Sequence, residues 1–332
     1  MQRIAWFHHI LLLVLSRRLA LSAGVLATVG LVGGSAVQQV LAAPQVVASP
    51  AAGCVGSAHL SAGSSSTRTL EVNGVSRTFH IHVPSGYSPA AAEPLIIAFH
   101  GRGEQAKSFE HYSQLSRLPA IVAYPEGLRS ATGPKSWESA PYANPAADDV
   151  AFTRAMIRQI RSQACVDGSR IFAVGRSNGG GLVNLLACQL PGQFAAVAMV
   201  SAAFYPQSER GCGQARPVSR IEFHGTHDAI VPYGGEVKFG SQLPAIPAWL
   251  DEWAARSHCR PPTERKIADG ATRIDWFFCQ PGTMMSHIRI DGGTHRWPGS
   301  SGALWRPSNH INAAALIWQF FQLQRPGLIF GS

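Results

Sequence analysis

Short apolar runs alternate with amphipathic stretches along most of this 332-residue chain. The apolar runs lack a polar–apolar alternation, so they predict strands buried on both faces, as in a parallel sheet. They lie at 95–99, 121–124, 171–174, 195–200 and 221–223. Helical periodicity appears between and after them, at 150–164, 179–190, 244–257 and 310–323. The pattern therefore predicts strands and helices in alternation.

An alternating segment precedes these runs. Residues 68–83 surround Asn73-Gly74, a dipeptide that predicts a β-hairpin. Asp148 and Asp149 come just before the first long helix and are expected to cap it. Together the elements predict an α/β fold with a mostly parallel sheet flanked by helices. Such folds place their ligand sites at the carboxyl ends of the strands.

The first forty residues have a different pattern. Residues 4–15 and 19–32 are apolar, Arg17-Arg18 lies between them, and small residues follow near 40–42. We expect a cleaved export signal over 1–42, a flexible linker over 43–66 and one folded domain over 67–325. A retained membrane anchor is the alternative, but both runs are short and the arginine pair is costly in a membrane. The expected location is extracellular or periplasmic, with the Sec and twin-arginine routes both open.

Composition narrows the class of protein. With 46% hydrophobic and 14% charged residues, the chain is expected to fold compactly rather than to remain disordered. The net charge of +9 includes Arg3, Arg17 and Arg18 of the predicted signal. Because no cluster of five Lys or Arg residues follows, the charge indicates a mildly basic surface and no nucleic-acid partner. We expect a monomer without membrane contact once the signal is removed.

Six cysteines suit an exported chain with disulfides. No CxxC spacing occurs, so no zinc or other metal site is expected. Cys259 and Cys279 are the favoured pair because they flank one polar stretch between a helix and a strand. Three pairings stay open for the other four, which are Cys54, Cys165, Cys188 and Cys212.

Ser177 is the candidate nucleophile. It lies in Gly175-Arg176-Ser177-Asn178-Gly179, a G-x-S-x-G sequence between an apolar strand and a helix. The turn must be so sharp that side chains at Gly175 and Gly179 would clash with backbone. It would lift the hydroxyl of Ser177 beside a helix N-terminus, where developing negative charge is favoured. The alternative is an ordinary turn serine in a glycine-rich chain.

A serine nucleophile needs a base and an orienting acid, which in this strand–turn–helix context follow in the order Ser, acid, His. Asp228 comes just after the fifth apolar run, and His295 lies on a glycine-rich loop between the last strand and the last helix. The alternative base is His227. The alternative acids are Asp251, Asp275 and Asp291. A packing or surface role is expected for the strand histidines His80, His82, His224 and His287.

The oxyanion of an ester intermediate needs two N–H donors. Asn178 supplies one by its position after Ser177. The second is expected from the loop after the first apolar run, where Arg102 is favoured and Gly101 is the alternative. Aromatic residues in loops predicted at the strand ends could stack on a substrate ring or pack under the loops. They are Trp137, Tyr142, Trp297 and Trp305.

Six stretches together resemble the secreted esterases grouped as type-C feruloyl esterases, which are similar to bacterial polyhydroxybutyrate depolymerases and some acetylxylan esterases. They are AFHGRGE, YPEGL, APYANPAADDVAF, GRSNGGGLVNLLAC, FHGTHDAIVPY and GGTHRWPG, and the likeness spans about residues 54–325. The resemblance implies a lidless α/β-hydrolase domain without cofactor or metal, and a Ser177–Asp228–His295 triad. It places the oxyanion loop at His100, Gly101 and Arg102. Related chains often have Cys-Gly or Trp-Arg-Gly after that histidine, where this chain has Gly101-Arg102-Gly103.

The expected activity is hydrolysis of feruloyl esters on plant cell-wall polysaccharide through an acyl-enzyme. Depolymerisation of a polyhydroxybutyrate polyester and deacetylation of xylan are alternatives within the same chemistry. A non-catalytic binding module on the same fold is an alternative from another class, and the intact Ser/Asp/His set argues against it.

Overall fold

The computed structural model describes residues 60–130, 133–300 and 311–324, all of which belong to the unit Ser49–Ser332. Within these ranges the strands are β1 Ser65–Val72, β2 Val75–His82, β3 Glu93–Phe99, β4 Ile121–Pro125, β5 Leu128–Arg129, β6 Lys135–Ser136, β7 Val166–Arg176, β8 Ala196–Val200, β9 Ser219–Gly225, β10 Glu236–Lys238, β11 Ser241–Leu243, β12 Thr263–Ala268, β13 Ala271–Cys279 and β14 Thr283–Ile290. The helices are α1 Ala106–Ser113, α2 Asp149–Gln163, α3 Asn178–Gln189, α4 Ile246–Arg256 and α5 Ala313–Gln322.

The predicted signal over 1–42 and most of the predicted linker lie outside the described residues, as do Cys54 and Trp305. The linker was expected to reach residue 66, but β1 already begins at Ser65, whose partner in β2 is His82. No helix in the described part of the chain is long and apolar enough to cross a membrane.

One large sheet organises the described residues. Its ten strands follow the order β1-β2-β4-β3-β7-β8-β9-β14-β13-β12. The six central strands, from β4 to β14 in that order, run parallel, and two antiparallel strands extend each side. The five apolar runs are β3, β4, β7, β8 and β9, which confirms their prediction as buried parallel strands. The chain order reverses between β3 and β7, where an open α/β sheet forms a crevice for ligands.

Helices cover both faces of this sheet. In β3, Leu95, Ile97 and Phe99 join the apolar cluster that contains the buried residues of α2, α3 and α4. Ile96 and Ala98 point to the other face and join the cluster with α1 and α5. Because both faces are dry, the central strands can be apolar at successive positions.

Local signals set several element ends. Asn73 and Gly74, with φ of 50° and 77°, form the predicted two-residue turn between β1 and β2. Asp148 caps α2 by accepting a hydrogen bond from the Ala151 N–H at 2.8 Å. Asp149 is not the cap: it is the first helical residue, and its buried carboxylate forms an ion pair with Arg77 of β2 at 2.7 Å.

Two disulfides lie among the described residues. The predicted Cys259–Cys279 bond is present and joins the segment after α4 to the end of β13. Cys188 of α3 is bonded to Cys212, a pairing that the sequence left open.

Candidate active site

Ser177 lies on a strained turn at the crevice. It follows β7 directly and precedes α3, and its φ of 56° and ψ of −122° are sparsely populated by residues other than glycine. Neighbouring backbone holds the conformation: the Ser177 N–H donates to Val200 O at 2.9 Å, and its carbonyl oxygen accepts from the Ala203 N–H at 3.0 Å. A strained backbone that persists because its surroundings fix it is typical of a functional site.

The two flanking glycines are required by close backbone contacts. A Cβ on Gly175 would lie 2.1 Å from the carbonyl oxygen of Gly179. A Cβ on Gly179 would lie 2.3 Å from the carbonyl oxygen of Phe99, at the end of β3. The clash expected from the sequence is therefore confirmed at both positions.

Two candidate oxyanion donors on the backbone have N–H groups without a protein partner within the described residues. One belongs to Asn178, the first residue of α3, and the other to Arg102. Gly101 was the alternative second donor, but its N–H donates to the Glu104 carboxylate at 2.9 Å. The Gly101 N–H is therefore already paired in this structure, whereas those of Asn178 and Arg102 are not.

His100 fixes the shape of this loop. Its buried ring contacts Gly101 O through Nδ1 at 2.7 Å and accepts from the Gly127 N–H through Nε2 at 3.0 Å. Burial lowers the pKa of His100, so the ring is neutral near pH 7 with its proton on Nδ1. Trp137 Nε1 donates to His100 O at 2.8 Å and supports the loop from behind.

Sheet pairing brings Asp228 and His295 together. They follow β9 and β14, which are parallel neighbours with Gly225 opposite Ile290. Asp228 Oδ2 lies 2.7 Å from His295 Nδ1. Its other oxygen, Oδ1, accepts from the N–H groups of Ile230 and Val231 at 2.9 and 2.8 Å. The carboxylate is thereby fixed by its own loop and aimed at the imidazole.

The electrostatics suit an acid–base pair. Burial by itself would raise the pKa of Asp228, but hydrogen bonds from His224 and His295 outweigh it and hold this pKa well below its usual range. Burial lowers the pKa of His295, and the cation of Arg176 adds to that effect against the opposing influence of Asp228. Near pH 7 the aspartate is therefore charged, and the histidine is neutral and able to accept a proton.

Arg176, the residue before Ser177, joins three loops. Its Nη2 donates to His295 O at 2.7 Å, which brings the histidine loop to the strand end that carries the serine. Its Nη1 forms an ion pair with Glu104, whose Oε2 accepts from the Gly101 N–H. Sequence reasoning missed Arg176 and Glu104, although both lie inside the motifs that were singled out.

The alternative acids and base lie elsewhere. Asp275 of β13 forms an ion pair with Arg273, and Asp291 does so with Arg289. Asp251 is exposed on α4. His227 is also exposed, and its backbone N–H donates to Gly293 O.

Two of the aromatic residues that were candidates for contact with substrate are buried. Trp137 has 0% and Trp297 1% of its surface exposed. Trp137 packs against Phe99 and His100, and Trp297 packs against Phe109 with ring centroids 5.4 Å apart. These indoles therefore support loops and present no face to a ligand.

Tyr142 belongs to an accessible group that we call the aromatic–arginine cluster: Arg102, Tyr142 and Phe239. The guanidinium of Arg102 lies 4.6 Å from the Tyr142 ring centroid and 5.2 Å from that of Phe239. The two rings meet edge to face at 4.8 Å. Phe239, at the tip of the β10–β11 hairpin, is 53% exposed, and sequence reasoning did not identify it.

Comparison with solved structures supports the architecture. The acetyl xylan esterase from Aspergillus awamori aligns with a TM-score of 0.57 and 14% identity, over 77% of this chain and 99% of that chain. The sheet and its helices form an α/β-hydrolase fold.

Residues 78–251 match the family model described as esterase PHB depolymerase. The chain belongs to this family. It is 30% identical to a probable feruloyl esterase C of Aspergillus oryzae, over 75% of this chain and 87% of that protein. It is 33% identical over 226 residues to feruloyl esterase B of Piromyces equi, covering 65% of this chain but only 42% of that relative. With its fold and these relatives, the molecule is a carboxylic ester hydrolase.

Proposed function

We propose that this protein is a secreted serine esterase that hydrolyses feruloyl and related hydroxycinnamoyl esters of plant cell-wall polysaccharide. Ser177 is the nucleophile, His295 the base and Asp228 the orienting acid. One observation carries the catalytic part: a strained Ser177 lies at the strand end to which Arg176 ties the His295 loop, with Asp228 2.7 Å from His295 Nδ1.

The first half of the reaction forms an acyl-enzyme. His295 Nε2 takes the proton of the Ser177 hydroxyl as Oγ attacks the ester carbonyl carbon. Negative charge develops on the carbonyl oxygen, where the N–H groups of Asn178 and Arg102 stabilise it. The bond to the alcohol oxygen then breaks, and His295 gives its proton to that departing oxygen, which leaves as a sugar hydroxyl. Asp228 stabilises the imidazolium while it exists.

The second half restores the enzyme. His295 takes a proton from a water molecule whose oxygen attacks the acyl carbon. Ser177 Oγ leaves and receives that proton, and the hydroxycinnamic acid is released.

Two features support the substrate class. The relatives reported above are feruloyl esterases by name. The aromatic–arginine cluster includes Arg102, the residue proposed as the second oxyanion donor, so an exposed aromatic face lies close to the acyl group. A planar hydroxycinnamoyl ring can stack on such a face or on a guanidinium.

Export is supported by the disulfides and the N-terminal pattern. The Cys188–Cys212 and Cys259–Cys279 bonds persist in oxidising compartments outside the cytoplasm. The apolar, arginine-containing segment over 1–42 supplies the export sequence in this proposal.

Covalent labelling tests the nucleophile. A serine-directed fluorophosphonate is expected to modify the folded protein at Ser177, and the Ser177→Ala variant is expected to remain unmodified. Equal labelling of both proteins, or none of the wild type, would contradict the esterase mechanism and favour a binding module.

A substrate panel tests the acyl group. We expect methyl ferulate to be hydrolysed with a higher kcat/KM than an acetyl ester or a 3-hydroxybutyrate oligomer. The description of the family as PHB depolymerase esterases favours the polyester as the second candidate. Activity restricted to the hydroxybutyrate oligomer would overturn the first choice and support the second, whereas activity restricted to the acetyl ester would indicate xylan deacetylation.

A further inference from the structure

A buried set of polar side chains lies directly behind the Asp228–His295 pair. We call Glu222, His224, His287 and Tyr233 the Glu222 network. Glu222 and His224 of β9 and His287 of β14 are fully buried. Burial of charge and imidazole at the centre of an α/β sheet is costly unless the groups are paired. None of these residues has a role in the acyl-transfer steps described above.

Contacts in the network determine the protonation of His224. Its Nδ1 lies 2.9 Å from Glu222 Oε1, and its Nε2 lies 2.8 Å from Val231 O and 3.4 Å from Asp228 Oδ2. Both ring nitrogens therefore face oxygen acceptors. A neutral imidazole carries one N–H, so one of its nitrogens would turn a lone pair toward an oxygen lone pair. Only the doubly protonated ring donates at both nitrogens.

His287 completes the environment of Glu222. Its Nδ1 lies 2.8 Å from Glu222 Oε2, and its Nε2 lies 3.0 Å from the hydroxyl of Tyr233. This ring therefore lies between a carboxylate oxygen and a phenolic hydroxyl. Glu222 thus has a histidine at each carboxylate oxygen, one of them charged.

We propose that His224 is a positioning residue that Glu222 keeps charged, as an imidazolium, between pH 5 and 9, and that it anchors the Asp228 carboxylate in place behind His295. Asp228 Oδ2 lies between the two rings, 2.7 Å from His295 Nδ1 and 3.4 Å from His224 Nε2. His224 also donates to Val231 O, at the far end of the turn that Asp228 Oδ1 closes. It therefore fixes both the carboxylate and the loop that carries it.

The charge of His224 also adjusts the base. Its positive charge partly offsets the field of Asp228, so His295 accepts a proton less readily than it would beside an isolated carboxylate. Burial would lower the pKa of His224, but Glu222 outweighs it and raises this pKa to about 10. Burial would likewise raise the pKa of Glu222, but the two histidines lower it overall.

Other charged groups lie close to His224 and His295. Arg289 lies beside His224 in the β9–β14 register, and it is paired with Asp291. His295 faces Asp228, His224 and the Arg176 cation, which is paired with Glu104. A change at His224 therefore removes one of two nearby cations that act on His295.

Histidine NMR tests the proposal directly. Ring ¹⁵N shifts of ¹⁵N-histidine-labelled protein distinguish imidazolium from neutral imidazole between pH 5 and 9. We expect His224 to stay doubly protonated across this range in the wild type and to titrate within it in Glu222→Gln. In His224→Gln the midpoint of His295 is expected to rise by about one pH unit, because Glu222 and Asp228 are left without the intervening cation.

Asp275→Asn is the matched control. It also changes a buried carboxylate to an amide, on the neighbouring strand β13 where Asp275 is paired with Arg273. We expect it to lower stability without moving the midpoint of His295. A wild-type His224 that titrates between pH 5 and 9, or a His295 midpoint that is unchanged in folded His224→Gln, would overturn the proposal.

The proposal rests on the proposed function, since it assigns a role around the proposed base. The acid limb of kcat/KM for methyl ferulate should move in His224→Gln by the same amount as the His295 midpoint. If the wild type does not hydrolyse the ester, the proposed function fails while the NMR result still decides the state of His224. If the acid limb of kcat/KM moves in His224→Gln while the His295 midpoint measured by NMR does not, the role given to His224 is contradicted.

Discussion

The two halves of the candidate site are held by different forces. On the serine side, at the ends of β3 and β7, backbone atoms meet so closely that Gly175 and Gly179 cannot carry a Cβ. On the histidine side, at the ends of β9 and β14, buried charged groups hold one another, from Glu222 through His224 to Asp228, and Asp228 in turn holds the neutral ring of His295. Packing thus fixes the nucleophile, whereas ionisation fixes the acid and base. The serine side should respond to changes in volume and the histidine side to pH.

The largest expected effect comes from removing the nucleophile. Ser177→Ala should lower kcat/KM for an ester by about 10⁴-fold or more, because no oxygen remains to form the acyl-enzyme. The midpoint of thermal unfolding should not fall, since the methyl group fits the space of the hydroxymethyl. Ser162→Ala, at an exposed position on α2, serves as the control and should leave both quantities unchanged. Residual activity above 1% of wild type would show that another residue attacks.

Gly179→Ala should break the serine side alone. Its Cβ would lie 2.3 Å from Phe99 O and 2.5 Å from His100 O, so the oxyanion loop must move. We expect kcat/KM to fall by about 100-fold and the free energy of unfolding to fall by about 1–3 kcal/mol. Gly213→Ala is the control because a Cβ there meets nothing within 4 Å. Both variants are compared by urea unfolding and ester hydrolysis, and equal behaviour would refute the packing argument.

Arg176→Gln tests the connection between the halves. Loss of its hydrogen bond to His295 O should lower kcat by about 10-fold with little change in KM, since the base is positioned less well. Loss of the cation should also raise the pKa of His295, so the acid limb of the pH–rate profile should move to higher pH. Arg158→Gln, on the exposed side of α2, should change neither. An unchanged acid limb in the Arg176 variant would show that this cation does not act on His295.

The pH dependence of the free energy of unfolding should reveal the charges of Asp228 and His224 on the histidine side. The folded pKa of Asp228 lies below its unfolded value of about 3.9, so its contribution is present above that pH and lost as the pH falls further. His224 has the opposite sign: its contribution is complete below about pH 6.5 and is lost as the pH rises toward its folded pKa of about 10. Urea unfolding from pH 3 to 10 measures both. Asp228→Asn should reduce the change in the free energy of unfolding with pH at acid pH, and His224→Gln should reduce that change at alkaline pH. Unchanged slopes in these variants would show that the two residues do not carry the assigned charges.

The smallest expected effect concerns substrate preference on the serine side. Phe239→Ala should raise KM for methyl ferulate about 3- to 10-fold by removing one ring of the aromatic–arginine cluster. KM for an acetyl ester should not change. Phe278→Ala is a close control because Phe278 is 54% exposed, has a positive φ and lies against Arg260. If both variants raise KM for methyl ferulate to a similar extent, the rise would come from the loss of an exposed aromatic ring in general and not from a substrate contact at Phe239.

The serine side was largely predictable because the residues that form it are close together in the sequence. G-x-S-x-G, a preceding apolar strand and a following helix are contiguous in sequence, and together they led to Ser177 and Asn178. The pairing of the Gly101 N–H needed the structure, because it depends on the carboxylate of Glu104, which accepts from that N–H. Motif spacing carries no information about that hydrogen bond.

The histidine side was predictable only in part. Asp228 and His295 followed from their order and their places after strands, but nothing in the sequence indicated that β9 and β14 are neighbours. His224 was given a packing role because strand histidines usually pack, and Glu222 was counted within an apolar run. For Trp137 and Trp297 the sequence left substrate contact and packing both open, since a large ring in a predicted loop says little about whether that loop is buried.

The β10–β11 hairpin that carries Phe239 has a consequence for how this scaffold changes. Its strands pair only with each other, and Leu243 is its one side chain in the described core. The tip can therefore vary in length and composition while the main sheet is inherited intact. Selectivity can evolve or be redesigned at this hairpin without rebuilding the machinery that cleaves the ester.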